Sequence, residues 1–213
     1  MKKKPIYVFE GAWDSPSEAP QVLPYFQAYA QTFRTIELNH RTFRCAEDLK
    51  YYFSKLPKNG RAFVYVACHG DQGVLLPSDA KSEISREEVN DALRIAKPGS
   101  IGFLHFASCD FVKSPDANRR KILQAHLENA QAVWVSGYSK GIDWLPSMLV
   151  DLALVHEIFV QWHQEPTKLA RHKKRLQTFQ MNYESVARGL GLSCLYHIGS
   201  EAVLFPKKVS LAE

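Results

Sequence analysis

Three short, nearly unbroken apolar runs constrain this chain most. They are Ala62-Phe63-Val64-Tyr65-Val66-Ala67-Cys68, Ile101-Gly102-Phe103-Leu104-His105-Phe106 and Ala132-Val133-Trp134-Val135-Ser136. None shows the apolar–polar alternation of a strand with one wet face, so each reads as a strand buried on both faces, as in a parallel sheet covered by helices. Segments of helical period separate them. Residues 18–33 read as a helix interrupted early by Pro20 and Pro24, and residues 45–56 place Leu49, Tyr52, Phe53 and Leu56 at helical spacing. Ser85-Arg86-Glu87-Glu88 matches a capping box, and Lys97-Pro98-Gly99 ends the helix it opens. A polar helix is expected over 118–129.

The remaining pieces fit the same alternation. Ile6 to Phe9 forms a first strand, followed by a loop from Gly11 to Pro20, and Thr35 to Leu38 forms a second strand. In residues 145–163 the side chains Leu145, Met148, Leu149, Leu152, Val155, Phe159 and Trp162 recur at three- and four-residue steps. In 167–188 Leu169, Leu176, Phe179, Tyr183 and Val186 do the same, with Gly189 and Gly191 at the end. Residues 193–198 and 202–205 are late strands. Strands alternating with helices predict a parallel-rich sheet with helices on both faces.

At 213 residues, without repeats or linkers, one domain spanning 1–213 is the simplest organisation. Hydrophobic residues at 46% and charged residues at 23% suit a globular core. No apolar run reaches the length of a membrane span, and Met1-Lys2-Lys3-Lys4-Pro5 precedes too few apolar residues for a signal peptide. Cys45, Cys68, Cys109 and Cys194 contain no CxxC pair, which points to a reducing, cytoplasmic setting. The net charge of +5 is mildly basic. No membrane partner is expected.

In open α/β sheets, ligands bind beyond the carboxyl ends of the strands. Two such ends carry reactive residues: 62–68 runs into His69-Gly70, and 101–106 runs into Ala107-Ser108-Cys109-Asp110. One helix separates these strands, so they are expected to be neighbours with imidazole and thiol in one cleft. A free thiol with pKa near ~8.5 is only partly ionised at neutral pH. An adjacent imidazole can take its proton and later return one to a leaving amine. Gly70, lacking Cβ, allows close backbone approach, so the N–H groups of Gly70 and Cys109 could form an oxyanion hole worth ~3–4 kcal/mol per donor.

A strand ending in His-Gly, then about forty residues, then a strand ending in small-small-Cys resembles the clan CD cysteine peptidases: caspases, metacaspases, separases and bacterial CHAT domains. Ala132 to Tyr138 leading to Ile142-Asp143-Trp144 and a helix is similar to the segment after the nucleophile in CHAT and separase domains. The resemblance covers roughly residues 5 to 163. It implies a caspase-like three-layer αβα sandwich with a mostly parallel six-stranded sheet in the order 2-1-3-4-5-6. It implies peptide hydrolysis through an acyl-enzyme on Cys109, with His69 as general base and acid. It further implies a protein or peptide substrate, no cofactor and no metal, and leaves room for an activating protein partner. The loop after the first strand, holding Glu10, Trp13 and Asp14, would help build the pocket for the residue before the cut.

The departures bear on specificity. Ala107 stands where metacaspases carry an acidic pocket residue, and Asp110 stands where caspases carry a basic one, so aspartate specificity has no support. Separase-like enzymes place a pocket acid where Asp143 sits. A basic substrate residue held by Asp143 or Asp14 is one expectation, and an apolar pocket lined by Trp13, Tyr138 and Trp144 is the other.

Other readings are weaker. Cys68, His69, His105 and Cys109 are zinc-type ligands, but Cys68 and His69 are adjacent on a strand and point to opposite faces. His105, four residues before Cys109 in the body of its strand, reads as core or helix-facing. The basic run of Lys168, Arg171, His172, Lys173, Lys174 and Arg175 reads as a solvated helix face, without the interleaved aromatics of base stacking, so nucleic acid is not an expected partner. A nucleotide-binding domain lacks its glycine-rich phosphate loop. The remaining alternative is a catalytically silent caspase-like interaction module. A bacterial signalling or defence setting rests on family analogy alone.

Overall fold

The continuous apolar runs become the centre of a seven-stranded sheet. The computed structural model describes residues 3–13, 21–77, 82–160, 169–198 and 201–205. In chain order the strands are β1 (Lys4–Gly11), β2 (Ile36–Phe43), β3 (Ala62–Ala67), β4 (His69–Asp71), β5 (Val74–Leu76), β6 (Ile84–Ser85), β7 (Ile101–Ala107), β8 (Trp134–Tyr138), β9 (Leu192–Ile198) and β10 (Glu201–Phe205). The helices are α1 (Leu23–Thr32), α2 (Ala46–Lys55), α3 (Arg86–Arg94), α4 (Asp116–Ala130), α5 (Trp144–Leu154) and α6 (Leu169–Leu190), with a π-helical segment Val155–Val160 continuing α5.

The large sheet runs β10-β9-β8-β7-β3-β1-β2. Its pairs β2–β1, β1–β3, β3–β7 and β7–β8 are parallel, while β8–β9 and β9–β10 are antiparallel. This corrects the expected six strands in the order 2-1-3-4-5-6. A seventh strand, β10, pairs along the outer edge of β9, and a separate three-stranded sheet, β4-β5-β6, is inserted between β3 and β7. That small sheet was not foreseen, because strands of three, three and two residues are too short to show a period.

Side-chain alternation divides the core between the two faces of the sheet. Ile6, Val8, Phe63, Tyr65, Ala67, Phe103 and Ala107 face α1, α5, the π-helical segment and α6. Phe9, Val64, Val66, Cys68, Leu104 and Phe106 face α2, α3 and α4. Strands wet on neither face explain the unbroken apolar runs.

Several boundaries move. Pro24 lies in the first turn of α1, where a missing N–H costs little, so the helix starts later than expected. Ser85 caps α3 as the sequence indicates: its Oγ accepts from the Glu88 N–H, while the Glu88 carboxylate accepts from the Ser85 N–H at 2.8 Å. In α5, Leu145 and Leu149 are exposed, because the sheet covers only the side carrying Met148, Val150 and Leu154. At the end of α6, Gly189 remains helical and Gly191, with φ of +72°, makes the left-handed turn. Lys2, Asp14, the start of the expected 18–33 helix, residues 161–163 and Lys168 lie outside the described residues, as do the side chains of Leu169, Leu176 and the basic run 171–175. No helix among the described residues is long and apolar enough to cross a membrane.

Candidate active site

β3 and β7 are hydrogen-bonded parallel neighbours in a register that ends with Ala67 opposite Ala107. The next residues stay side by side: Cys68 Sγ lies 3.6 Å from Ser108 Oγ, on the face covered by α2 to α4. Alternation then returns His69 and Cys109 to the parity of Ala67 and Ala107. His69 is exposed and Cys109 is half-buried. A Cβ on Gly70 would lie 2.5 Å from the Cys109 carbonyl oxygen and 3.0 Å from Ser108 Cβ, so the two segments approach as closely as a glycine permits. The sequence-predicted pair thus emerges at one end of the sheet from adjacent strands.

Each half is held by its own local structure. His69 opens β4, which pairs with β5 as His69↔Leu76, Gly70↔Leu75 and Asp71↔Val74. The turn residues Gln72 and Gly73 have φ of 42° and 94°, the positive pair that a tight two-residue hairpin requires. After Cys109 the chain turns at Asp110, whose φ of 56° is left-handed and more tolerable for Asp than for most residues. The Asp110 N–H donates to the Lys140 carbonyl at 3.2 Å, and Val112 N–H donates to the Tyr138 carbonyl at 3.0 Å. Lys113 Nζ donates to Asp110 Oδ2 at 2.8 Å, so Asp110 serves its own loop.

An aromatic wall stands beside the imidazole. The Trp13 ring meets His69 edge to face at 5.2 Å and Trp144 at 5.3 Å, and Tyr25 continues the row at 6.1 Å from Trp144. Glu10, fully buried at the end of β1, fixes this wall. Its Oε1 accepts from Trp13 Nε1 at 2.8 Å, Gln21 N–H at 2.6 Å and Val22 N–H at 2.9 Å, while Oε2 pairs with His40 Nε2 at 2.9 Å. Burial pushes its pKa up, but the contacts to His40, Trp13, Val22 and Gln21 outweigh that and hold the carboxyl below its ordinary value. Tyr25 was not singled out from the sequence; nothing local marks a first-turn tyrosine as a neighbour of residue 144.

The other expected pocket residues divide. Asp143 is exposed at the N-cap of α5, immediately before Trp144 in the chain, and its side chain makes no cap hydrogen bond there. Asp14 lies outside the described residues. Tyr138 is not a cleft residue: β8 runs two residues further than expected, so the side chain is fully buried and its hydroxyl donates to Asp151 Oδ1 at 2.6 Å.

Tyr138 belongs to a buried polar cluster beneath the cleft. Tyr65 Oη donates to Asp151 Oδ2 at 2.7 Å, and His105 Nδ1 pairs with Ser136 Oγ at 2.8 Å. His105 Nε2 stands 2.9 Å from Asp151 Oδ1, an ion-pair distance without hydrogen-bond alignment. Ser136, His105 and Asp151 thus lie in the order of a hydrolase triad. All three are at most 1% exposed, and Ser136 Oγ also accepts from Trp134 Nε1, so the cluster is part of the core and offers no substrate access. Burial, reinforced by the Asp151 charge, pushes the Tyr65 and Tyr138 hydroxyls well above their ordinary pKa. Cys68, packed on the far face, has its thiol pushed up to about 12 by burial, so it is not a competing nucleophile. Cys194 is likewise buried, and the four cysteines are unpaired. Among the described residues no group of three or more His, Cys, Asp or Glu side chains is placed to hold a metal.

No family model matches the chain, and no curated protein matches it. Among solved structures, one described as SPT with PLP, carrying a point substitution, is 16% identical, with 66% of this chain and 31% of that chain covered and a TM-score of 0.30. The chain therefore spans less than a third of that protein's length, and a likeness at this level carries no argument about fold family or chemistry.

Proposed function

We propose that the chain is a cysteine endopeptidase of caspase-like fold, in which Cys109 attacks the peptide carbonyl and His69 moves the proton. The observation that carries this reading is the shared register of β3 and β7, from which His-Gly and Ser-Cys emerge side by side. In the proposed reaction His69 takes the thiol proton as the Cys109 sulfur bonds to the substrate carbonyl carbon. It then gives that proton to the leaving amine, and water later releases the acyl group. The N–H groups of Gly70 and Cys109 are the proposed donors to the oxyanion. The hairpin geometry at Gly70 supports that role, since a side chain there would strike the Cys109 carbonyl.

The residue before the cut is proposed to be basic. The flat indoles of Trp13 and Trp144 suit the stem and guanidinium of an arginine, and the exposed Asp143, the residue before Trp144, is the proposed countercharge. Fluorogenic peptides with Arg, Lys or Leu before the reporter test this. Asp143→Ala should lower turnover of the Arg and Lys peptides ~10-fold or more, as expected for a charge-assisted contact, while sparing the Leu peptide. Equal turnover of Arg peptides by both proteins would contradict it. The silent interaction module predicts no turnover of any peptide and a Cys109 that alkylates no faster than an ordinary thiol.

A further inference from the structure

The first residue of α3 has a side chain that α3 itself does not use. Arg86 Nε donates to the Phe111 carbonyl at 2.8 Å, and its Nη2 donates to the Lys113 carbonyl at 2.9 Å. Both carbonyls belong to the loop that follows Cys109. The same guanidinium lies flat against the tip of the β4–β5 hairpin that begins with His69. A Cβ built on Gly73 would sit 2.3 Å from Arg86 Cζ and 2.4 Å from Nη2. One planar, rigid cation therefore spans the turn of the histidine hairpin and the turn of the cysteine loop.

The chain arrives there by design of the small sheet. β6 pairs with β5 through Val74↔Ser85 and Leu75↔Ile84, which places residue 86 directly behind the hairpin. The Ser85 capping box then fixes the direction in which α3 leaves. We propose, resting on the peptidase reading, that Arg86 is a positioning residue that locks the His69 hairpin to the Cys109 loop and so sets the distance over which the proton passes. A lysine cannot replace it: a single ammonium lacks the planar fork that serves two carbonyls while packing flat on a glycine.

Amide hydrogen exchange on wild type, Arg86→Ala and Arg86→Lys, together with peptide turnover, tests this. The expected result is faster exchange at residues 70–74 and 110–113 together, by about tenfold or more in both variants, with β1, β3 and β8 unchanged. Turnover should fall in kcat by ~10²-fold with KM nearly constant, as for loss of alignment, and added guanidinium ion should restore part of it to Arg86→Ala but not to Arg86→Lys. Loosening of one loop alone, or a kcat within about twofold of wild type in both variants, would overturn the proposal. If Arg86→Ala does not fold, Arg86→Lys decides by the same two readings. A wild type inert toward all peptides would contradict the peptidase reading alone, and the exchange comparison would still decide whether Arg86 couples the loops.

Discussion

Replacing Asp151 should destabilise the protein more than any single exposed change, and the structure gives the size. Three polar groups converge on this carboxylate: Tyr65 Oη at 2.7 Å, Tyr138 Oη at 2.6 Å and His105 Nε2 at 2.9 Å. Neither tyrosine nor His105 is more than 1% exposed, so water cannot replace the lost acceptor. A buried donor left without a partner costs ~1–3 kcal/mol, and removing one member of a buried charged cluster typically costs ~3–5 kcal/mol net. Asp151→Ala should therefore cost ~3–5 kcal/mol, a large part of the ~5–15 kcal/mol that holds a typical domain. Asp151→Asn keeps the shape and one acceptor oxygen, so its cost should be ~1–2 kcal/mol. In urea, with a slope of ~2–3 kcal/mol per molar, the alanine variant should unfold at a midpoint roughly 1–2 M lower. Tyr65→Phe in the Asp151→Ala background should then cost less than in wild type, because the hydroxyl has already lost its acceptor. An alanine variant within ~0.3 M of wild type would refute the reasoning, by showing that the cluster's desolvation cancels its hydrogen bonds.

Two further predictions read the site and its surroundings. Gly70→Ala places a Cβ 2.5 Å from the Cys109 carbonyl, and the hairpin must retreat by about half an ångström even to reach the closest tolerated contact. Peptide turnover should fall ~10²-fold, whereas unaltered turnover would show that this approach is not part of the site. His126, stacked on Phe111 at 5.5 Å with Nδ1 on Asn90 Oδ1 at 2.7 Å, has its pKa lowered to about 3 by burial and then by the Arg86 charge. Between the ordinary value of 6.5 and about 3 the unfolded chain takes up a proton that the native state refuses, so this contribution is present above pH 6.5 and is lost as pH falls. His126→Gln should reduce the slope of unfolding free energy against pH in that window by ~1.4 kcal/mol per pH unit, and an unchanged slope would place the acid sensitivity elsewhere.

What the sequence revealed follows from which interactions are local. β3, β7 and β8 were legible because strands buried on both faces must be apolar throughout, and α3 was legible because its cap is written in four consecutive residues. The His69 and Cys109 placement followed from the strand ends. Tyr138 was misplaced because nothing in Ser136-Gly137-Tyr138 shows that β8 continues to pair with β9 there. Leu145 and Leu149 read as core because period alone cannot say how wide a stripe the sheet covers. Asp151 carries a readable signal, a carboxylate in the apolar stripe between Met148 and Val155, and its burial follows from that position. Arg86 carried none: its acceptors lie 25 and 27 residues away, and only the folded loops bring them to its fork.

The most direct test of the central claim is a digest of proteome-derived peptides read by mass spectrometry, with wild type beside Cys109→Ala and His69→Ala. The account predicts new peptide termini with wild type alone, preceded by Arg or Lys. Termini that persist in Cys109→Ala, or a wild type that produces none while Cys109 alkylates no faster than an ordinary thiol, would contradict it.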